Sequence, residues 1–412
     1  MTAEPLHTHM VDDQLAKRNA VVLAIGQALG GAQASIVIAT GGLVGVYLLA
    51  DDKSLATLPV TTFLAGIALG VAPAALITGS VGRRLGFMIG AAFGIAGGLT
   101  AVQAIFANAF WLFCAATFIG GIAGAFVHQY RFAAADVASE DFKPKAISWV
   151  LAGGVFAGIV GPQTVIAFKD LFLPIEFAGA FVGQAVLMVA TLFLMAFVTL
   201  PKPASAKDTN GGRPLKEILA QPKFIASAGC AITSYALMSF VMTATPLAMV
   251  ACGFTPGQAT LAIQWHIIAM FAPSFFTGNL INRFGKTKIV SVGLLLLSGC
   301  ATVSLMGIDL ANFNIALILL GLGWNFGFIG ATAMVTECYR PEERSKAQAA
   351  NDFIIFGCVG FASLMSGFVF EHFGWAAVNT IVFPFVILAF LLLAWLSKMD
   401  AKADPKPAPG PA

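Results

Sequence analysis

Charge is what this chain has least of. Charged residues make up 10 % of its 412 positions, where a soluble domain carries about 25 %. A surface so poor in ions cannot keep a chain of this size in water. That excludes the two or three soluble domains its length alone would suggest. Carboxylates are missing from the centre of every predicted apolar run, and all 20 acidic residues fall in tails, loops or near helix ends. Catalytic and metal signatures are missing too: there is no HExxH, no GxSxG and no CxxC. Without a paired nucleophile and base or a ligand cluster, an intramembrane enzyme has nothing to work with, so no enzyme activity, metal or cofactor is expected. His7 and His9 form only a lone HxH. Cys114, Cys230, Cys252, Cys300, Cys338 and Cys358 are scattered, mostly in apolar sequence, and read as small buried hydrophobes. The net charge of +3 is too small to imply nucleic acid. Asp12, Asp13, Lys17 and Arg18 precede an apolar run far longer than a signal h-region, so no cleavable signal is expected.

What the chain has in excess is apolar sequence, 58 % of residues. A membrane-spanning helix needs about 20 mostly apolar residues. Twelve such runs are predicted, over residues 20–49, 57–80, 88–107, 110–135, 146–168, 176–199, 223–250, 257–281, 288–308, 312–336, 347–370 and 375–396. The expected fold is an all-α membrane protein of two pseudo-symmetric six-helix bundles. The predicted order is a tail (1–18), a first bundle (19–200), a polar Pro- and Gly-containing linker (201–222), a second bundle (223–397) and a disordered tail (398–412). Rows of small residues at spacing four, such as Gly90, Gly94 and Gly98, Gly120 and Gly124, and Gly154 and Gly158, read as packing surfaces in lipid.

Lys and Arg set the orientation. With the N-terminus inside, every one of the 23 basic residues except Lys53, Lys169 and Arg131 falls in a cytoplasmic tail or loop. Both termini are therefore expected in the cytoplasm. The halves also repeat. Gly79, Arg84 and Gly86 recur as Gly278, Arg283 and Gly285. Asp136, Lys145 and Ala146 recur as Glu337, Lys346 and Ala347. This is the organisation of parallel repeats that rock around a central site.

On the loop between the second and third spans of each half, the chain resembles the major facilitator superfamily. That family's motif reads Gly-x-Leu-x-Asp-Arg-x-Gly followed by a basic residue. Residues 278–286, GNLINRFGK, keep it with Asn282 for Asp. Residues 79–87, GSVGRRLGF, carry Arg83 where Asp is expected and Phe87 where a basic residue is expected. The stretch AGIVGPQTVI (157–166) keeps Gly161 and Pro162 of the family's exporter motif. The family's arginine in the fourth span is absent, with Thr117 and Gly120 in its place. The resemblance covers residues 19–397 and implies a monomeric secondary transporter of the bacterial inner membrane. It further implies a cytoplasmic gate in which Arg84 pairs with Asp136 and Arg283 with Glu337, with Arg131 and Arg344 as further gating residues. Arg83 is expected to exchange charge with Asp352.

Polar side chains inside the bilayer are costly and mark candidate sites. The substrate-binding candidates are Gln27, Gln33, Tyr235, Gln264, His266, Trp324 and Asn325. His266 and Asp352 are the proton-coupling candidates. A lining of amides and aromatics with few charges suits a small neutral or amphipathic organic solute, moved across the inner membrane by alternating access, with proton coupling open. A broad-specificity drug exporter and a heteroaromatic vitamin (flavin-like) importer both fit. From another class, a non-transporting membrane sensor stays open.

Overall fold

The structure is a computed structural model that describes residues 13–49, 53–134, 136, 138–139, 142–200 and 212–403. The first twelve residues with His7 and His9, the first half of the expected linker, residues 404–412 and the side chain of Arg344 lie outside the described set.

The described residues are helical, with no strand among them. The long helices are α1 (Asp13–Leu48), α2 (Leu58–Val81), α3 (Arg83–Phe106), α4 (Phe110–Val127), α5 (Lys143–Phe168) and α6 (Ala178–Met195). Then come α7 (Pro222–Ala251), α8 (Pro256–Phe271, continued as Ser274–Phe284), α9 (Lys286–Met306), α10 (Leu310–Val335), α11 (Arg344–Thr380) and α12 (Val382–Ala403). Eleven helices among the described residues are long and apolar enough to cross a membrane, and the two pieces of α8, bent by 43°, bring the number to twelve. Gly374, at φ 76°, breaks the α11 stretch where the last two spans were expected to part. Helical structure throughout is what lipid demands, since each span satisfies its own backbone donors and acceptors.

Local chemistry fixes several boundaries. Thr255 caps α8 in a capping box: its hydroxyl accepts from the Gln258 amide at 3.2 Å, and Gln258 Oε1 accepts from the Thr255 amide at 2.9 Å. Prolines open α2, α7 and α8, where a missing N–H costs nothing. Prolines also lie within α2, α5 and α7 at Pro73, Pro162 and Pro246. Gly82, at φ 91°, ends α2 and starts α3, and Gly285, at φ 89°, does the same between α8 and α9. Both sit in the left-handed region that only glycine enters at little cost.

The chain divides into two compact units. One comprises Met1–Ala206 with Thr255–Ala272; the other comprises Lys207–Phe254 with Pro273–Ala412. In the first unit α1 packs on α5, α2 on α4, and α3 on α4 and α6, and the first piece of α8 packs on α5 and α1. In the second, α7 packs on α10, α11 and α12, and α9 on α10. Large apolar residues face outward as well as inward: Leu76, Trp111, Phe193, Leu295 and Phe361 are exposed, while Phe63, Phe113 and Phe181 are fully buried. A helix that is apolar all round suits lipid. Because lipid is as apolar as leucine, tight packing rather than burial holds such helices together. Small residues supply it. A Cβ on Gly121 of α4 would lie 2.1 Å from the Phe63 carbonyl of α2, and one on Gly66 of α2 would lie 2.2 Å from the Phe118 carbonyl of α4.

Candidate functional site

In the first unit, amides lie along the contacts of α1 with α4 and α5 and of α5 with α8. Gln33 of α1 is buried; in the amide orientation that satisfies both of its ends, it donates to the Gly120 carbonyl at 3.3 Å and accepts from the Gly124 N–H at 3.1 Å. Gln27, half-buried on the same helix, lies against Gly153 of α5. Gln163 of α5 donates to Gln264 of α8 at 2.8 Å. His266 of α8 is wholly buried. Gln163 was not anticipated from the sequence, although its place directly after Pro162 was a signal.

The second unit holds an aromatic cluster. Trp324 and Phe328, one helical turn apart on α10, stack at 5.3 Å with their planes 17° apart. Tyr235 of α7 meets both edge-on, at 5.4 Å from Trp324 and 5.0 Å from Phe328. Phe356 of α11 meets Tyr235 at 5.9 Å. Trp324 is buried, while Tyr235, Phe328 and Phe356 keep part of their rings open. Asn325, next along α10, turns elsewhere. Its Oδ1 accepts from Thr277 at 2.6 Å and its Nδ2 donates to Ser274 at 2.7 Å. This wholly buried amide is spent on the second piece of α8, beside the bend. The sequence reading missed Phe328 and Phe356; the spacing of four from Trp324 to Phe328 was the available signal.

The ends of the helices carry charge networks that differ from the expected pairs. Asp136 is held by Arg83 at 3.0 Å, not by Arg84, which is exposed. Arg83 also donates to Gln129 Oε1 at 3.1 Å, an oxygen that accepts from Thr78 at 3.0 Å as well. Glu337 is held by Lys286 and Lys223, not by Arg283, whose guanidinium lies over the neighbouring Phe284 ring. One rule explains both corrections. In each unit a pairing cation is the residue directly after the left-handed glycine, Arg83 after Gly82 and Lys286 after Gly285, while Lys223, the second partner of Glu337, lies in the first turn of α7. The cation after the glycine starts the next helix, beside the end of the helix that carries the carboxylate. Burial pushes the Asp136 carboxyl up, with Arg83 opposing. Hydrogen bonds from Lys223 and Lys286 pull Glu337 down. Arg131 is exposed, its guanidinium over the Phe132 ring. Asp352, exposed on α11, accepts from Asn351 at 3.2 Å.

A further network holds the end of the linker. The Glu343 side chain is fully buried. Its Oε1 accepts from Nε of Arg213 at 3.0 Å and from the Arg213 backbone N–H at 2.7 Å, and its Oε2 accepts from Nη2 of Arg213 at 2.7 Å and from the Arg340 N–H at 2.9 Å. These donors, the Arg213 side chain first, hold its carboxyl well below the usual range. Arg213 Nη2 also donates to the Cys338 carbonyl at 3.0 Å, as does Gln221 Nε2 at 2.8 Å.

Up to twelve apolar spans among the described residues, amides at several degrees of burial, an aromatic cluster free of charge and ion pairs at the helix ends define a multi-pass solute carrier. The chain belongs to the major facilitator superfamily, whose model matches residues 22–249 and 227–412. It is 51 % identical over 400 residues to the riboflavin transporter RfnT of Brucella anthropi, covering 96 % of this chain and all of that one. It is 30 % identical over 407 residues to YddS of Bacillus subtilis, an uncharacterised transporter of the same superfamily, covering 92 % of each. Among solved structures it is similar to the Escherichia coli xylose transporter XylE in a partially occluded inward-open conformation. The TM-score is 0.69 and the identity 13 %, over 92 % of this chain and 97 % of that one. The protein is a secondary transporter of the bacterial inner membrane, moving a small organic solute across the bilayer by alternating access, and not an enzyme.

Proposed function

We propose that this transporter carries a flavin, riboflavin or a close relative, into the cell. The observation that carries the reading is the 51 % identity to RfnT over that protein's whole length. The chemistry of the site agrees with it. A flavin is a flat, uncharged tricycle with a polyol chain, which asks for rings and amides rather than ion pairs. Tyr235 and Trp324 are the aromatic members of the candidate set and Gln27, Gln33 and Gln264 the polar ones, with His266 and Asn325 completing it.

The test is uptake of labelled riboflavin by a riboflavin-auxotrophic host. Expression should allow growth at riboflavin levels that fail the parent strain, with accumulation competed by unlabelled riboflavin and not by xylose. No uptake, together with reduced accumulation of unrelated apolar dyes, would instead make the protein a broad-specificity exporter. His266 and Asp352 are the proton-coupling candidates, and the pH profile of the same uptake in His266→Gln and Asp352→Asn assigns the role or removes it.

The halves 19–200 and 223–397 are read as parallel repeats, supported by the recurrence of Gly79, Arg84 and Gly86 as Gly278, Arg283 and Gly285. Both termini are read as cytoplasmic, on the bias of Lys and Arg, and the working unit as a monomer, the family's usual state. Arg84, Arg131, Asp136, Arg283, Glu337 and Arg344 are assigned to the cytoplasmic gate. Arg283→Ala should slow exchange several-fold with the substrate Kd unchanged. Lost binding with intact cycling would reject the gate role.

A further inference from the structure

We propose that Phe328 is the stacking surface for the flat ring of the substrate, with Trp324 behind it as a positioning residue and Tyr235 and Phe356 as its walls. The inference rests on the flavin reading above and goes beyond it, to the part of the solute this unit binds and the residue that binds it.

The argument starts from what the four rings do to one another. An isolated phenylalanine in a bilayer span needs no explanation, because lipid accepts it. Four rings from three helices, α7, α10 and α11, meeting within 6 Å in edge and stacked pairs are a built assembly. Offset stacks and edge-to-face pairs are the preferred arrangements of aromatic quadrupoles. Here they fix the plane of Phe328 from two directions. Trp324 lies nearly parallel to it, and Tyr235 meets it at 68°.

Exposure then separates the roles. Trp324 is only 7 % exposed, so it offers a ligand almost no surface. Phe328, Tyr235 and Phe356 each keep part of the ring open. A buried ring stacked on a partly open one holds that ring in a single rotamer, and a pre-set ring surrenders little freedom on binding. The faces of four neutral rings suit a flat, uncharged π-system, while the neighbouring amide of Asn325 bonds Ser274 and Thr277.

The test measures riboflavin and lumiflavin, the ring without its polyol, binding to the purified protein by equilibrium dialysis and by quenching of flavin emission. Both should bind and be quenched. Phe328→Leu keeps the apolar volume but removes the π-face. It should raise the Kd of both ligands roughly ten-fold, the scale of one base–aromatic stack. Phe328→Trp, which keeps a π-face, should hold both ligands about as tightly as the wild type. Trp324→Phe should weaken binding less than Phe328→Leu does. If the wild-type protein binds neither ligand, the flavin reading falls and the stacking surface with it. If the wild-type protein binds both and Phe328→Leu binds them equally well, the stacking surface alone is overturned.

Discussion

Arg213→Ala is expected to damage this protein more than any substitution among its candidate binding residues. Glu343 is fully buried, and two of its four hydrogen bonds come from the Arg213 side chain. Removing the guanidinium leaves a carboxylate sealed from water with only two backbone donors. Breaking a buried pair from one side is far more costly than replacing both partners. Thermal unfolding in detergent should show a drop on the order of 10 °C. Arg213→Lys should recover little, because an ammonium cannot reproduce the forked contact with both carboxylate oxygens. The double change Arg213→Met with Glu343→Leu should be milder than Arg213→Ala alone. A double variant as unstable as the single one would show that the network matters for reasons other than the stranded charge. The sign of the pH effect follows from the depressed carboxyl of Glu343. The stabilisation is fully present above the unfolded glutamate pKa of about 4.3, and it is lost as pH falls from there through the folded value. The wild-type protein should therefore lose stability in acid, and the double variant should lose less.

Gly121→Ala should leave almost no folded protein. The added methyl would lie 2.1 Å from the Phe63 carbonyl, a backbone atom that no rotamer change can move aside. Either α2 and α4 part along their length or the substitution is rejected, and the cost exceeds the ~1–3 kcal/mol usual for overpacking. Gly79→Ala is the control, since nothing lies within 4 Å of where its methyl would go. Monodispersity of the two variants on size exclusion, side by side, decides the point. Equal behaviour would mean that the α2–α4 approach is looser than these distances imply.

Much of the fold could be read from the chain because a bilayer fixes the length of a span. Eleven apolar runs became helices long enough to cross, and the eighth, expected over 257–281, became the bent pair. The positions of the small residues were equally legible. Gly90 abuts Phe126 of α4, while Gly94 and Gly98 abut Met188 and Ala185 of α6. What the sequence could not settle was the choice between neighbouring cations. Arg83 and Arg84 are adjacent in the chain, and only the position of the left-handed turn decides which one faces Asp136. That turn falls at Gly82, before both arginines, in the first unit and at Gly285, after Arg283, in the second. A motif laid over both loops in one register therefore picks the wrong residue each time. Asn325 shows another limit: the hydroxyls of Ser274 and Thr277 that it bonds lie about fifty positions away in the chain, beyond the reach of any local pattern. Glu343 was passed over because one acidic residue in a polar loop looks like any other until its partner is known.

The bend in α8 bears on how the chain could be cut. Thr255–Ala272 is grouped with the first unit, although it is encoded well beyond the linker. There it packs on α5, where a Cβ on Gly158 would lie 2.6 Å from Ile267. A polypeptide ending in the linker would thus lack a strip of its own interior, and the complementary polypeptide would carry that strip without its natural cover. The relation is that of a swapped segment. Two such fragments, produced separately, would each be born incomplete and would gain stability only by trading α8 across the break. A gene split after residue 272, in contrast, would leave every residue of the first unit on one fragment.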